Sequence, residues 1–261
     1  MLELKIDPIM NVPHSYIKSI FFFQKSFLSV VIQKFLFSMM LFCALFIGQE
    51  LSAQCTSCTT TINGPDSGLY FLNAGDKLCL AAGAEFTGVI IFNGGELENC
   101  ATLPQDFASG YNSSSSGTKI TNNGTMILAD TWTLDRSTTF YNYGTLIIAN
   151  RLSIRRNSIF NNFGIHEGGN VNVGGNGAYL NHGAFNGTGN SIVQDDGHLV
   201  MHAGSTFTGD DFLVENTILN AGEITINNQT IIRQRAVWTN DGGCLTTTDL
   251  LVSGMINGIT C

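Results

Sequence analysis

Phe140-Tyr-Asn142-Tyr-Gly144-Thr-Leu146-Ile-Ile148 is followed twenty residues later by Phe160-Asn-Asn162-Phe-Gly164-Ile-His166, and the two share one frame: apolar, spacer, Asn, spacer, Gly. The Asn-x-Gly element recurs at Asn73-Ala-Gly75, Asn93-Gly-Gly95, Asn122-Asn-Gly124, Asn181-His-Gly183, Asn220-Ala-Gly222 and Asn240-Asp-Gly242. His202-Ala-Gly204 and Asn257-Gly258 are degenerate copies, and successive spacings are 20, 29, 20, 20, 19, 21, 18, 20 and 17. A period near 20 sustained over ten copies is the mark of a solenoid, in which each repeat is one coil that cannot bury its apolar side alone.

The residue two positions before each motif tests that reading, because chance recurrence of Asn-x-Gly would not fix its neighbours. Those residues are Phe71, Ile91, Ile120, Phe140, Phe160, Tyr179, Val200, Ile218, Trp238 and Met255, all apolar or aromatic. Apolar pairs recur ten and twelve residues after the Asn (Trp132 and Leu134, Leu152 and Ile154, Phe212 and Val214, Leu250 and Val252), with single apolar residues at four (Met126, Leu146, Phe185, Ile224). Alternation at period two reads as strands with one face inward. The expected fold is therefore all-β: a single-stranded parallel β-helix of about nine coils, right-handed by the strong preference of parallel crossovers. The ten motif residues should form one buried row. The Gly should supply a position with φ > 0, and each Asn amide should bond its counterpart in the next coil.

Composition agrees. Of 261 residues 29 are Gly and only 12% are charged, about half the usual share, which leaves too little Lys, Glu and Arg to coat exposed helices. Phe35 to Ile47 is an apolar run after Lys34, ending in Leu51-Ser52-Ala53 before Gln54, the pattern of a secretory signal peptide. Residues 1–53 are read as this targeting segment, with 1–30 upstream of a natural start near Val31, and helix is expected only there. Residues 54–72 form an N-terminal cap region, and 73–261 the β-helix, with a loop of nine extra residues inserted at 101–118. Without the leader 8 basic and 17 acidic side chains remain, a net charge of −9. Such a surface repels phosphate backbones and anionic lipid, so neither nucleic acid nor membrane insertion of the mature chain is expected. Oligomeric state is not readable.

In this setting Phe140-Tyr-Asn-Tyr-Gly-Thr-Leu-Ile-Ile and Ile218-Leu-Asn-Ala-Gly-Glu-Ile-Thr-Ile resemble the repeats of secreted bacterial parallel β-helix proteins, in particular haemagglutinin-type adhesins. The resemblance covers about 73 to 261 and rests on turn and core positions. It implies a secreted or cell-surface, non-catalytic structural or adhesive module, with a glycan or a surface protein as partner and no cofactor.

Two surface features compete for function. The residue inside the motif projects from its turn, and neighbouring coils place Tyr143, Phe163 and His182 there, a strip suited to sugar rings or partner side chains, with Arg156 nearby. Alternatively, the rings cover one another. Against this adhesive reading stands an enzyme, a polysaccharide lyase or glycoside hydrolase working on the outer face. Its candidate groups are Asp195, Asp196, Asp210, Asp211 and Arg233, since paired carboxylates ~5 to 9.5 Å apart can cleave a glycosidic bond. A groove gathering carboxylates and Arg would favour cleavage over adhesion. Asp210 also belongs to a polar turn row with Asp130, Asn150, Asn170 and Asn228, and the mature chain has only two lysines, Lys77 and Lys119, with which to face an acidic substrate.

No metal site is expected. His166, His182, His198 and His202 fall at different offsets from their motifs and read as surface and turn residues, and the one calcium-roll-like stretch, Gly174-Gly-Asn-Gly-Ala-Tyr179, has Tyr where Asp is required. Six cysteines follow the leader, an even number in an exported chain, which suggests disulfides rather than zinc at the lone Cys55-x-x-Cys58. Motif spacing puts Cys79 one coil from Cys100 and Cys244 one coil from Cys261, within bridging distance at ~4.8 Å per coil. Cys55 would then pair with Cys58. Free buried thiols are the alternative.

Overall fold

The computed structural model describes residues 55–104, the backbone of residues 112–113, and residues 117–258. The expected leader at 1–53, its helix and the start near Val31 lie outside the described residues, as does Cys261. Among the described residues the chain is all-β, without helix, and its parallel strands stack as a β-solenoid of about 9 turns with ~20-residue spacing.

One 11-stranded sheet runs the length of the described stack, and a second 11-stranded sheet starts at Thr102–Leu103. The first takes one short strand from each coil, among them Lys77–Leu80, Glu96–Asn99, Lys119–Asn122, Thr139–Asn142 and Ile159–Asn162, and ends at Met255–Asn257. The second is built from the segments that follow in each coil, either as one long bent strand such as Thr145–Ile154 or as two short ones such as Ala184–Gly187 and Ser191–Val193. The first coils carry a three-stranded sheet, Leu69–Asn73, Val89–Asn93 and Asn112–Ser113, and a two-stranded one, Pro65–Asp66 with Glu85–Phe86.

Alternate side chains of these strands fill the interior in continuous rows. Leu78, Leu97, Ile120, Phe140, Phe160, Tyr179, Leu199, Ile218 and Trp238 align in register and are all buried. On the second sheet Leu103, Met126, Leu146, His166, Phe185, Phe207, Ile224 and Leu245 form another buried row. Leu134, Ile154, Val173, Val193, Val214 and Ile232 form a third. Ring contacts run through the first row: Phe160 stacks on Phe140 at 5.2 Å between centroids and meets Tyr179 at 5.0 Å.

Six of the ten residues expected in the first row occupy it; Phe71, Ile91, Val200 and Met255 do not. Phe71 and Met255 are largely exposed, at 59% and 57%. The cause is phase. Asn73 and Asn93 sit in the three-stranded sheet, one strand earlier in the coil than the other motifs, where Leu72, Ile90 and Phe92 point inward instead. The residue in step with Asn122 is Asn99, in Asn99-Cys-Ala, 23 residues before it. The inserted loop thus lengthens its coil by three residues, not nine, relative to a spacing of 20. At the other degenerate copies Met201, not His202, aligns with Asn181, and Ile256, not Met255, aligns with Trp238.

The asparagine row carries the polar half of the motif. Asn99, Asn122, Asn142 and Asn162 each donate Nδ2–H to the Oδ1 of the next Asn, at 2.7 to 2.8 Å, all fully buried. Asn122, Asn142, Asn162 and Asn181 also donate to a backbone carbonyl of the following coil, at 2.8 to 3.0 Å. A buried amide would be costly unpaired, and the ladder pairs it twice. The glycine of the motif serves the expected purpose in some coils and another in the rest: Gly75, Gly204, Gly242 and Gly258 take positive φ, whereas the central copies are required by close packing. Gly144 and Gly164 do not have positive φ; instead a Cβ at Gly144 would lie 2.0 Å from the Gly124 carbonyl oxygen, and one at Gly164 2.1 Å from that of Gly144. These turns stack too closely for any side chain.

The disulfides also follow the true phase. Cys79 aligns with Glu98, not Cys100, so the expected Cys79–Cys100 and Cys55–Cys58 pairs do not form. The bonds are Cys55–Cys100 and Cys58–Cys79, with Cα–Cα distances of 6.1 and 5.7 Å. Both tie the segment entering the first coil to the coils beneath it. Lys77 adds an ion pair to Glu98 at 2.5 Å. Cys244 is disulfide-bonded, and its expected partner Cys261 lies outside the described residues.

Candidate functional site

The turn that returns the chain to the first sheet decides where the outer surface is smooth and where it is recessed. Four residues fill it after Leu134, Ile154, Val173, Val193 and Ile232. In the first four coils of this series two consecutive residues take positive φ: Arg136 and Ser137, Arg156 and Asn157, Gly175 and Asn176, Asp195 and Asp196. After Val214 the turn is only Glu215-Asn216 before the strand resumes at Thr217. A two-residue turn between four-residue neighbours leaves a notch in the row.

A groove of ≈ 890 Å³ lies there, lined by Asp195 and Asp196, Glu215 and Asn216, and Arg233 to Arg235, with Ile231, Leu251 and Val252 supplying apolar surface. Contacts between coils fix its polar groups. Arg233 Nη1 pairs with Glu215 Oε1 at 3.2 Å, and Asn216 Nδ2 donates to Asp196 Oδ1 at 3.4 Å. Asp210 and Asp211 are elsewhere. Asp210 accepts from Asn227 Nδ2 at 3.1 Å, and Asp211, which accepts the Gln229 N–H at 3.3 Å, lines a separate recess of ≈ 290 Å³. The five enzymatic candidates are therefore split, and Glu215, Asn216 and Arg235 join Asp195, Asp196 and Arg233 in their place. The signal that could have found these was the missing pair of turn residues after Val214.

Past the other end of the first-sheet strands, Tyr143, Phe163 and His182 stand one above another as expected. Tyr143 and Phe163 stack at 4.9 Å and 9°, Phe163 and His182 at 4.4 Å and 13°. His202 extends the ladder, stacked on His182 at 3.7 Å and 11°. It was missed because His202 read as the motif's Asn position, whereas Met201 holds that place. Partial burial, then the neighbouring His202, lowers the His182 pKa from its usual value. Tyr143 is 53% exposed and Phe163 40%, yet the rings turn their faces to each other and their edges to solvent. Arg156 does not join them: it lies in the turn row across a four-residue strand, paired with Asp135 at 3.2 Å.

His166 corrects the expectation of surface histidines. It points inward in the row of Leu146 and Phe185, with Nδ1 3.1 Å from the Tyr179 hydroxyl, and complete burial depresses its pKa to about 3. It is a neutral core residue at working pH. His198 is exposed. The ligand atoms of Cys55, Cys79 and Glu98 come within 4.8 Å of one another, but both sulfurs are in disulfides and so are not thiolate ligands.

No family model, curated protein or solved structure matches the chain.

Proposed function

We propose that the protein is a non-catalytic extracellular β-solenoid module, structural or adhesive, that presents its outer surface to a glycan or a surface partner. The observation carrying this reading is the fate of the polar side chains that repeat with the coils. The buried asparagines are consumed in coil-to-coil hydrogen bonds, and the turn-row pairs Asn150 to Asp130 and Gln229 to Asp249 are engaged in the same way. These groups hold a rigid rod together. Two disulfides at the first coils are compatible with an extracellular setting. The exposed edges of Tyr143, Phe163 and His182 provide apolar contact surface on that rod, and Arg156 a separate cationic group at the turn row.

The test is retention of purified mature protein on immobilised polysaccharides and on cell surfaces, together with an assay for newly formed reducing ends. Retention without release is expected, and Tyr143→Ser with Phe163→Ser should weaken it if the ring ladder makes the contact.

A polysaccharide-cleaving enzyme is the second reading, and one observation favours it: the groove gathers Asp195, Asp196, Glu215, Arg233 and Arg235. Of these carboxylates Glu215 is engaged by Arg233 and Asp196 by Asn216, which suits fixed binding groups better than proton shuttles. Turnover that falls 10²-fold or more in Asp195→Asn, the scale ~10² expected for loss of a general acid or base, would establish the enzyme.

A further inference from the structure

The notch at Glu215-Asn216 is the place where a repetitive surface becomes specific. Much of the surface repeats from coil to coil, but among the described residues the short turn between Asp195-Asp196 and Gln234-Arg235 is the one with a long turn on both sides. Its volume, ≈ 890 Å³, falls in the range of small-ligand clefts, ~300 to 1,000 Å³. Its chemistry is mixed. Carboxylates accept hydrogen bonds, the guanidinium of Arg235 donates them in a planar fork, and Asn216 and Gln234 do both. Beside these lie Leu251 and Val252, exposed at 50% and 47%.

We propose that this groove binds a short stretch of uncharged glycan without cleaving it; the proposal rests on the adhesive reading and names its ligand class. Sugar rings present hydroxyls that both donate and accept at their rim and apolar C–H groups on their faces, which matches polar walls beside Ile231, Leu251 and Val252. The charge balance selects against acidic glycans. Glu215 and Arg233 neutralise each other, leaving Asp195 and Asp196 against Arg235, in a mature chain of net charge −9. A uronate or sulfate would have to approach two carboxylates. The ion pair and the Asn216 to Asp196 hydrogen bond hold four of the polar groups in place before ligand arrives, so less freedom is lost on binding.

The experiment is titration of ¹⁵N-labelled mature protein with cellohexaose, mannohexaose and hexagalacturonate at millimolar concentration. At least one neutral hexamer should shift the amides of residues 195–196, 215–216 and 233–235, and hexagalacturonate should not. Arg235→Ala and Asp195→Asn, the latter keeping a residue that tolerates the positive φ at 195, should each weaken that binding tenfold or more at unchanged melting temperature. Insertion of an Asn-Gly dipeptide between Glu215 and Asn216, which fills the notch, should abolish it. Should no neutral hexamer bind, should hexagalacturonate bind in preference, or should the groove variants bind normally, the proposal fails. Shifts confined to residues 143, 163, 182 and 202 would overturn the groove while leaving the adhesive reading intact. Release of reducing ends that is lost in Asp195→Asn would overturn both.

Discussion

At the scale of single residues the interior is dominated by aromatic contacts between coils, and their loss is local. Phe160 is fully buried between Phe140 and Tyr179, with His166 at 5.4 Å, so Phe160→Ala opens a cavity that three neighbours line. The expected cost is ~3 to 5 kcal/mol, whereas His198→Ala, at an exposed position, should change little. Urea unfolding of the two variants beside wild type checks the difference. His166 makes a separate prediction about pH. Its folded pKa of about 3 lies below the ordinary 6.5, because burial penalises the charged ring. The unfolded chain therefore binds a proton that the folded chain refuses. The stability due to the neutral ring is present above pH 6.5 and is lost as pH falls from there toward about 3, by up to ~1.4 kcal/mol per pH unit. In His166→Leu that part of the pH dependence should vanish, whatever its absolute stability, and denaturation curves across this range would reveal it.

At the scale of the repeat the same motif serves two ends, and only one was legible in the sequence. The alternation around Asn122, Asn142 and Asn162 reads directly as strand, turn, strand, because apolar period two and a buried amide are both local properties. Phase is not local. Asn73 and Asn93 carry the same letters in a different strand of the coil, and nothing in their neighbourhood distinguishes them from Asn99, whose Cys-Ala continuation hides it. The disulfide expectation inherited that slip, since Cys79 and Cys100 look equivalent only when coils are counted from Asn73 and Asn93. His166 was legible, standing four residues after its motif like Met126 and Leu146, but its polarity argued for the surface. Of the candidate site, Asp195, Asp196 and Arg233 could be named from sequence; that they share a groove follows from turn lengths compared across coils. The glycine of the motif gives a direct test of close stacking. Gly144→Ala places a methyl 2.0 Å from the Gly124 carbonyl oxygen, so two backbones must separate. The variant should unfold at clearly lower temperature than wild type, by more than the ~0.5 to 1 kcal/mol that the Gly-to-Ala change alters through backbone entropy, and in the opposite direction.

At the scale of the whole molecule the solenoid is a one-dimensional array whose stability adds from one coil to the next. Its first coils are closed by the Cys55–Cys100 and Cys58–Cys79 bonds. Its last described coil leaves Leu250 and Val252 exposed at 37% and 47%, although the residues in register with them, Thr230 and Ile232, are buried. Non-reducing peptide mapping should recover Cys58 linked to Cys79 and Cys55 linked to Cys100. A Cys79–Cys100 peptide would contradict the register described here.

Met201 interrupts the asparagine row, and the side chains on either side of it respond. Asn181 Nδ2 meets the Met201 sulfur at 3.6 Å, while Asn220, receiving no amide from above, accepts the N–H of Gly222 at 3.2 Å. Asn99, where the row begins, accepts the Ala101 N–H in the same manner. Two relays thus start in one rod, the first running from Asn99 to Asn181 and the second from Asn220 to Asn240. Between them no asparagine-to-asparagine bond crosses the Met201 coil, and coupling rests on apolar packing, the backbone ladders and isolated side-chain bonds such as Asn181 to the Thr206 carbonyl and Asn216 to Asp196. The rod therefore has a built-in joint of cooperativity: an opening that begins at the last coils can halt at Met201 and leave the disulfide-tied block standing. Native-state hydrogen exchange should accordingly sort the buried amides into two protection classes that meet at this coil, and Met201→Asn should merge them into one.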